Sequence, residues 1–115
     1  MPCYRAEETQ AKEMGPGVKV QFFINRERGA GSVTLAKAYM EPGSSLPLHS
    51  HRVEDAFIIL SGKGKCTVGD ETYEVGPDTA VLVPAGVKHN CTNDGNEPMI
   101  VIFTWPSVEV ERFPG

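Results

Sequence analysis

The sequence predicts an all-β domain, either a sandwich or a barrel. Turns with glycine or proline recur about every eight to twelve residues between short apolar segments, which is typical of such folds. The 115 residues include 12 glycines and 9 prolines, so turns are frequent and little of the chain is left for long helices. This length is typical of one domain.

The predicted strands follow one another between these turns. Residues 18–24 alternate loosely and lead into a loop that contains Gly29 and Gly31. Gly69-Asp70 is a hairpin signal, because glycine at the first central position suits a tight two-residue turn. The predicted strands are 18–24, 33–40, 56–60, 65–68, 71–75, 79–83 and 99–105. We therefore divide the chain into an N-terminal arm (1–17), a β-barrel (18–106) and a C-terminal tail (107–115).

Charge and composition exclude several classes of protein. Fifteen acidic against eleven basic residues give a net charge of −4, which argues against the basic face of a nucleic-acid-binding protein. No apolar run approaches the roughly 20 residues of a membrane span, and the first residues lack the apolar core of a signal peptide. Three cysteines, an odd number without C-x-x-C spacing, favour a reducing compartment. We expect a cytoplasmic protein without membrane or nucleic-acid partners.

The positions of the three histidines are the strongest indication of a functional site in this sequence. His49 and His51 are two residues apart, so in an extended segment both point to one face, together with Asp55, while Glu54 points to the other. Two imidazoles and a carboxylate are ligands that suit a transition metal. His89 follows the turn 84–86, far away in sequence. Spacing alone does not bring the two segments together, and His89 alone is more simply a hydrogen-bonded core or surface histidine.

Two segments of the chain resemble the conserved motifs of the cupin family, and the resemblance extends over about 33–105. The first motif is matched at 43–62 and the second at 84–93. The family implies a jelly-roll β-barrel, also called a double-stranded β-helix, with a divalent metal inside one mouth. The metal would be Fe, Mn, Ni, Cu or Zn and would keep two neighbouring positions open for ligands. The ligands that the resemblance implies are His49, His51, His89 and Asp55.

Two positions depart from the family pattern. The acidic ligand is usually glutamate, but its register falls on Asp55, which is about one methylene shorter. A local bulge would instead turn Glu54 inward, because one extra residue reverses the facing of a strand. The glycine that opens the second motif is replaced by Asp78, so we expect a rebuilt turn after Gly76-Pro77.

The walls of a substrate pocket are inferred from side-chain parity. Phe57 and Ile59 share the face of the first two histidines, and we expect Tyr39 and Phe103 to look inward from neighbouring strands. Each of these four, taken individually, is better explained as ordinary core. Cys91 shares the parity of His89 and is read as a small buried residue.

Three functions fit this sequence. The first is a small metalloenzyme for a compact oxygenated or carbonyl compound, either a dioxygenase or an isomerase. The second is a non-catalytic cupin that binds or senses a sugar-like or acidic small molecule, and the third is a structural barrel with an incidental metal. The resemblance also implies a homodimer, with residues 1–17 and 18–24 expected to pair across it because an open sheet edge needs covering.

Overall fold

The computed structural model describes residues 3–115 and contains two antiparallel sheets. The six-stranded sheet has the order β1-β2-β3-β10-β5-β8, and the five-stranded sheet has the order β11-β4-β9-β6-β7. The strands are β1 (Ala11–Glu13), β2 (Val18–Ile24), β3 (Thr34–Met40), β4 (His49–Ser50), β5 (Asp55–Ser61), β6 (Gly64–Val68), β7 (Glu71–Val75), β8 (Ala80–Val83), β9 (His89–Thr92), β10 (Met99–Trp105) and β11 (Phe113–Pro114). Two single-turn 3-10 helices, Ala6–Glu8 and Arg26–Arg28, lie outside the sheets. The all-β jelly-roll prediction is confirmed.

The hydrophobic core lies between the two sheets and follows the alternation of the strands. Along β3 and β10 every second residue is buried, so one face of each strand points into the barrel. Met40, Ile59, Met99 and Val101 are wholly buried. The same alternation corrects the expectation for Tyr39: it stands on the outward face of β3, half-buried, with the Lys37 ammonium 5.1 Å from its ring centroid.

Both ends of the chain add strands to the barrel. In the predicted arm, β1 pairs antiparallel with β2 and covers the edge of the six-stranded sheet within the same chain. In the predicted tail, β11 pairs with β4, with Phe113 opposite Ser50 and Pro114 opposite His49. The tail therefore lies beside the segment that carries the first two histidines.

Two turns have the backbone conformations that their sequences indicate. Val68 pairs with Glu71, so Gly69-Asp70 is the two-residue hairpin loop that was predicted. Asp78, where the family pattern has glycine, adopts a left-handed conformation with φ of 64°. That conformation favours glycine, and aspartate is among the few other residues that tolerate it. No helix formed by residues 3–115 is long and apolar enough to cross a membrane.

Candidate metal centre

Three histidines from two separate segments meet inside the barrel. His49 on β4 stands opposite His89 on β9 in the sheet register, and His51 follows β4 directly. The ring centroid of His49 lies 4.8 Å from that of His51 and 4.3 Å from that of His89. One nitrogen of each ring lies within 4.8 Å of the other two, and all three residues are buried. Three imidazoles at this spacing could hold one metal ion.

Backbone carbonyls fix the orientation of all three rings. The Nδ1 atoms of His49 and His89 lie 2.7 Å and 3.0 Å from the carbonyl oxygens of the residues two positions earlier, Pro47 and Val87. The Nδ1 atom of His51 lies 2.7 Å from the carbonyl oxygen of Glu111 in the tail. A carbonyl oxygen can only accept, so each Nδ1 carries a hydrogen, and in the neutral form of such a ring the lone pair is on Nε2. This is the usual arrangement of metal-binding histidines.

Asp55 brings a carboxylate to the same point. It is the first residue of β5 and is 1% exposed, whereas the neighbouring Glu54 is exposed. Its Oδ2 atom lies 3.2 Å from Nε2 of His89 and 3.8 Å from Nε2 of His51. Asp55 Oδ1 and His51 Nε2 have no hydrogen-bond partner among the described residues, although both are buried. A bound cation is a partner that would satisfy both of these buried acceptors.

The protonation of the histidines agrees with metal binding. Burial lowers the pKa of His49 to about 4 and also lowers the pKa of His51, because both imidazolium forms would lose their hydration. The hydrogen bonds to Pro47 and Glu111 oppose this effect only in part. The rings of His49 and His51 are therefore neutral near pH 7, which is the form that binds a metal.

A cavity of about 130 Å³ borders His49, His51 and Asp55. Of the predicted wall residues, Phe103 lines this cavity, and Phe57 packs against Phe103 with a ring-centroid distance of 4.9 Å. Ile59 is wholly buried and Tyr39 is outside the barrel, and neither lines the cavity. The other wall residues are Met14, Val20, Phe22, Ala38, Leu46, Trp105, Val110 and Arg112.

Several of these residues were not identified from the sequence. Val20 and Phe22 alternate within a predicted strand, and Trp105 has the parity of Phe103, so parity could have found these three. Val110 and Arg112 lie in the tail, where no regular alternation predicts a strand. The contact between Glu111 and His51 joins residues 60 positions apart, which no local pattern reveals.

Two cysteines lie close to the centre but not in it. Cys66 on β6 and Cys91 on β9 are directly opposite each other, and both are buried free thiols. A hydrogen bond with Cys66 and burial raise the pKa of Cys91, so its thiol stays protonated. We assign these residues to the core.

Comparison with known proteins agrees with the architecture. Uncharacterized protein SCO3923 of Streptomyces coelicolor is 28% identical over 108 residues, which are 92% of this chain and 98% of that protein. The polyketide cyclase RemF of Streptomyces resistomycificus superposes with a TM-score of 0.85 at 21% identity, covering 99% of this chain and 84% of that one. Bacillus subtilis oxalate decarboxylase, a protein with Mn(II) centres, gives 0.86 at 23% identity over 96% of this chain and 31% of that one.

The identities to the two solved structures are low, and those likenesses concern the fold alone. The family assignment comes from the model of the cupin domain, which matches residues 36–105 and therefore more than half of the chain. The matched region includes all three histidines and Asp55. This chain belongs to the cupin domain family.

Proposed function

We propose that the protein is a metal-dependent cupin enzyme that acts on a small oxygenated or carbonyl compound, as a dioxygenase or an isomerase. One observation carries the proposal. All three Nδ1–H groups are held by backbone carbonyls, so the three Nε2 atoms converge with the buried carboxylate of Asp55 at one point. Two of these histidines, His49 and His51, line a cavity together with Asp55. Asp55 Oδ1 and His51 Nε2 are both buried without a hydrogen-bond partner among the described residues, and a bound cation would satisfy both atoms.

The residues that would hold the metal are His49, His51, His89 and Asp55. Mixed imidazole and carboxylate ligands suit Fe, Mn, Ni, Cu or Zn, and the Mn(II) centres of the similar oxalate decarboxylase favour testing manganese and iron first. When bound, a divalent ion supplies Lewis acidity that stabilises an oxygen anion of a substrate or activates a small oxygen ligand.

The protein's own part in the reaction is to position ligands and exclude water. The carbonyl oxygens of Pro47, Val87 and Glu111 prevent the rings from rotating, so the Nε2 atoms stay directed to one point. Behind the site, the ring of Phe103 stacks on Trp105 with a centroid distance of 5.8 Å and closes the apolar side of the cavity. Oxygen groups of a substrate therefore meet the centre in a largely apolar space.

The first test is elemental analysis by mass spectrometry of untagged protein purified without added metal. We expect near-stoichiometric transition metal in the wild type and loss of most of it in His51→Ala and Asp55→Asn. Glu54→Gln is the matched control, because it neutralises the neighbouring carboxylate on the exposed side of the chain. Full metal content in His51→Ala would refute the assigned centre, and loss in Glu54→Gln alone would move the carboxylate ligand to Glu54.

The alternative is a non-catalytic cupin that binds an acidic or sugar-like small molecule, which the cavity beside the centre also allows. Turnover separates the two. Consumption of O₂ with a candidate substrate identifies a dioxygenase, and exchange of substrate carbon-bound hydrogen in D₂O identifies an isomerase. Stabilisation of the folded protein by a ligand without either reaction would favour the binding protein.

The homodimer, with residues 1–17 and 18–24 pairing across it, and the cytoplasmic location stay predictions; in the structure β1 and β2 pair with each other within one chain. Apolar side chains on the outer face of the six-stranded sheet offer a surface for a second copy, and among them Leu82 is 60% exposed and Ile58 is 37% exposed. Light scattering should give the mass of a dimer for the wild type and of a monomer for Leu82→Asp. A monomeric wild type would refute the dimer.

A further inference from the structure

The tail brings one arginine to the mouth of the metal-site cavity. The pairing of β11 with β4 and the hydrogen bond between Glu111 and His51 fix the tail on both sides of Arg112. Arg112 lines the cavity together with His49, His51 and Asp55, and it is exposed on its outer side. Arg112 is thus anchored through its backbone at a place that borders both solvent and the cavity.

The charge of Arg112 is not neutralised by the chain. Among residues 3–115, no acidic side chain forms an ion pair with it, whereas Arg5 and Arg26 each pair with a glutamate. Its charge contributes to the low pKa of both His49 and His51, which places it within effective Coulomb range of the site. If the centre holds a divalent ion, the ion and Arg112 together would outweigh the single negative charge of Asp55, and the cavity would carry an excess of positive charge.

Two side chains that line the cavity, Arg112 and Trp105, have hydrogen-bond donors that a ligand with acceptor atoms would satisfy. The guanidinium of Arg112 and the indole Nε1 of Trp105 can donate hydrogen bonds but cannot accept them. The indole Nε1 is buried without a partner among the described residues. The one carboxylate, Asp55, already faces the histidines. A sugar would need acceptors for its hydroxyl hydrogens, and with the histidines and Asp55 engaged by a metal the other lining side chains would offer no carboxylate, amide or hydroxyl oxygen.

The other lining residues and the volume of the cavity indicate the polarity and the size of a ligand that would fit. Val20, Phe22, Phe103 and Val110 present apolar side chains. The cavity volume of about 130 Å³ is close to the roughly 150 Å³ of a protein cavity that binds benzene. A ligand with an apolar body of about that size would fill it.

We propose that Arg112 is the binding residue for a carboxylate, and that the substrate is a small monocarboxylic acid with an apolar body about as large as a benzene ring. The guanidinium holds the carboxylate at the cavity mouth, and the other end of the compound reaches the metal centre. Arginine suits this role because its planar fork binds both oxygens of a carboxylate at once. The proposal rests on the function proposed above and adds its substrate class.

Benzoate is the probe, and isothermal titration calorimetry on Co(II)-loaded protein is the measurement. We expect benzoate to bind the wild type and Arg112→Gln to weaken it by about tenfold or more, the usual effect of losing a charge-assisted pair. Arg112→Lys should fall between the two, because it keeps the charge but loses the fork. Arg5→Gln removes an equal charge at an exposed position and should bind like the wild type. Benzamide, the neutral counterpart, should bind Arg112→Gln and the wild type equally.

The outcomes separate this inference from the proposed function. If the wild type takes up metal but binds no benzoate, or if Arg112→Gln weakens binding no more than Arg5→Gln does, the carboxylate site is refuted and the metal centre stands. If the wild type takes up no metal, the titration is run on the metal-free protein. An Arg112-dependent loss of benzoate there supports the anion site although the enzyme proposal has failed. Equal thermal midpoints of all variants exclude misfolding as the cause.

Discussion

Asn93 is expected to stabilise the barrel through three side-chain hydrogen bonds. It is 0% exposed, and its Nδ2 atom donates to the carbonyl oxygens of Met40 and Glu97, each at 2.8 Å. Its Oδ1 atom accepts from the backbone N–H of Gly95 at 3.0 Å. A buried hydrogen bond contributes about 1 kcal/mol net, so Asn93→Ala should lower the free energy of unfolding by about 3 kcal/mol. Asn93→Asp should be at least as harmful, because it turns a donor into a buried anion that faces two carbonyls.

Urea unfolding followed by the fluorescence of Trp105 measures this loss. For a domain of this size, about 3 kcal/mol corresponds to a midpoint shift of roughly 1–3 M. Asn96→Ala is the control, because Asn96 is exposed in the same loop and makes no side-chain hydrogen bond among the described residues. The metal content of folded Asn93→Ala should equal that of the wild type. A loss within about 0.5 kcal/mol of the control would refute the reasoning.

Three further predictions concern the turn, the thiols and the tail. Asp78→Gly should raise the free energy of unfolding by about 0.5 kcal/mol, because glycine adopts a positive φ without strain. Asp78→Ala should lower the free energy of unfolding, and equal urea midpoints for the two variants would contradict this prediction. A thiol reagent should modify only Cys3 in the native protein and all three cysteines in urea, because Cys66 and Cys91 are buried; fast reaction of more than one native thiol would be inconsistent. Truncation after Ser107 should weaken metal affinity by about 10–100-fold, because His51 loses its hydrogen bond to the carbonyl oxygen of Glu111. Unchanged metal affinity in a truncated protein that still folds would show that Glu111 does not orient His51.

The fold was predictable because its determinants are local. Glycine and proline turns delimit the strands, and short apolar segments such as 18–24 and 99–105 mark where the strands lie. The shortest strands have no such local pattern. β4 has two residues, and its pairing with β9 and β11 depends on partners far away in sequence. Tyr39 was misplaced because the phase of 33–40 is set by packing: small Ala36 and Ala38 face the core, and the larger residue faces outward.

The candidate site was predictable where residues share a strand and not where the chain folds back. Parity placed Asp55 with the histidines rather than Glu54, and the structure has the former buried and the latter exposed. No spacing rule joins Arg112 to the cavity, since that contact arises only when β11 adds to the edge of the second sheet. Because Ile59 and Phe57 point to the same face of β5, the sequence predicted both as pocket residues. Ile59 lies farther along the strand and is wholly buried in the core, away from the cavity.

The three histidines differ in how their orientation is secured, because two are held by carbonyls close in sequence and one is held by the tail. His49 and His89 are oriented by carbonyls two residues earlier, so their geometry is a property of short segments. His51 depends on Glu111, whose position depends on the pairing of β11 with β4 and on the hydrogen bond from Gly115 N to Leu48 O. Because the short two-residue β11 is held by few contacts, it opens at lower cost than the barrel does. Opening of the tail would release His51 and Arg112 together, so metal affinity and carboxylate binding should weaken in concert.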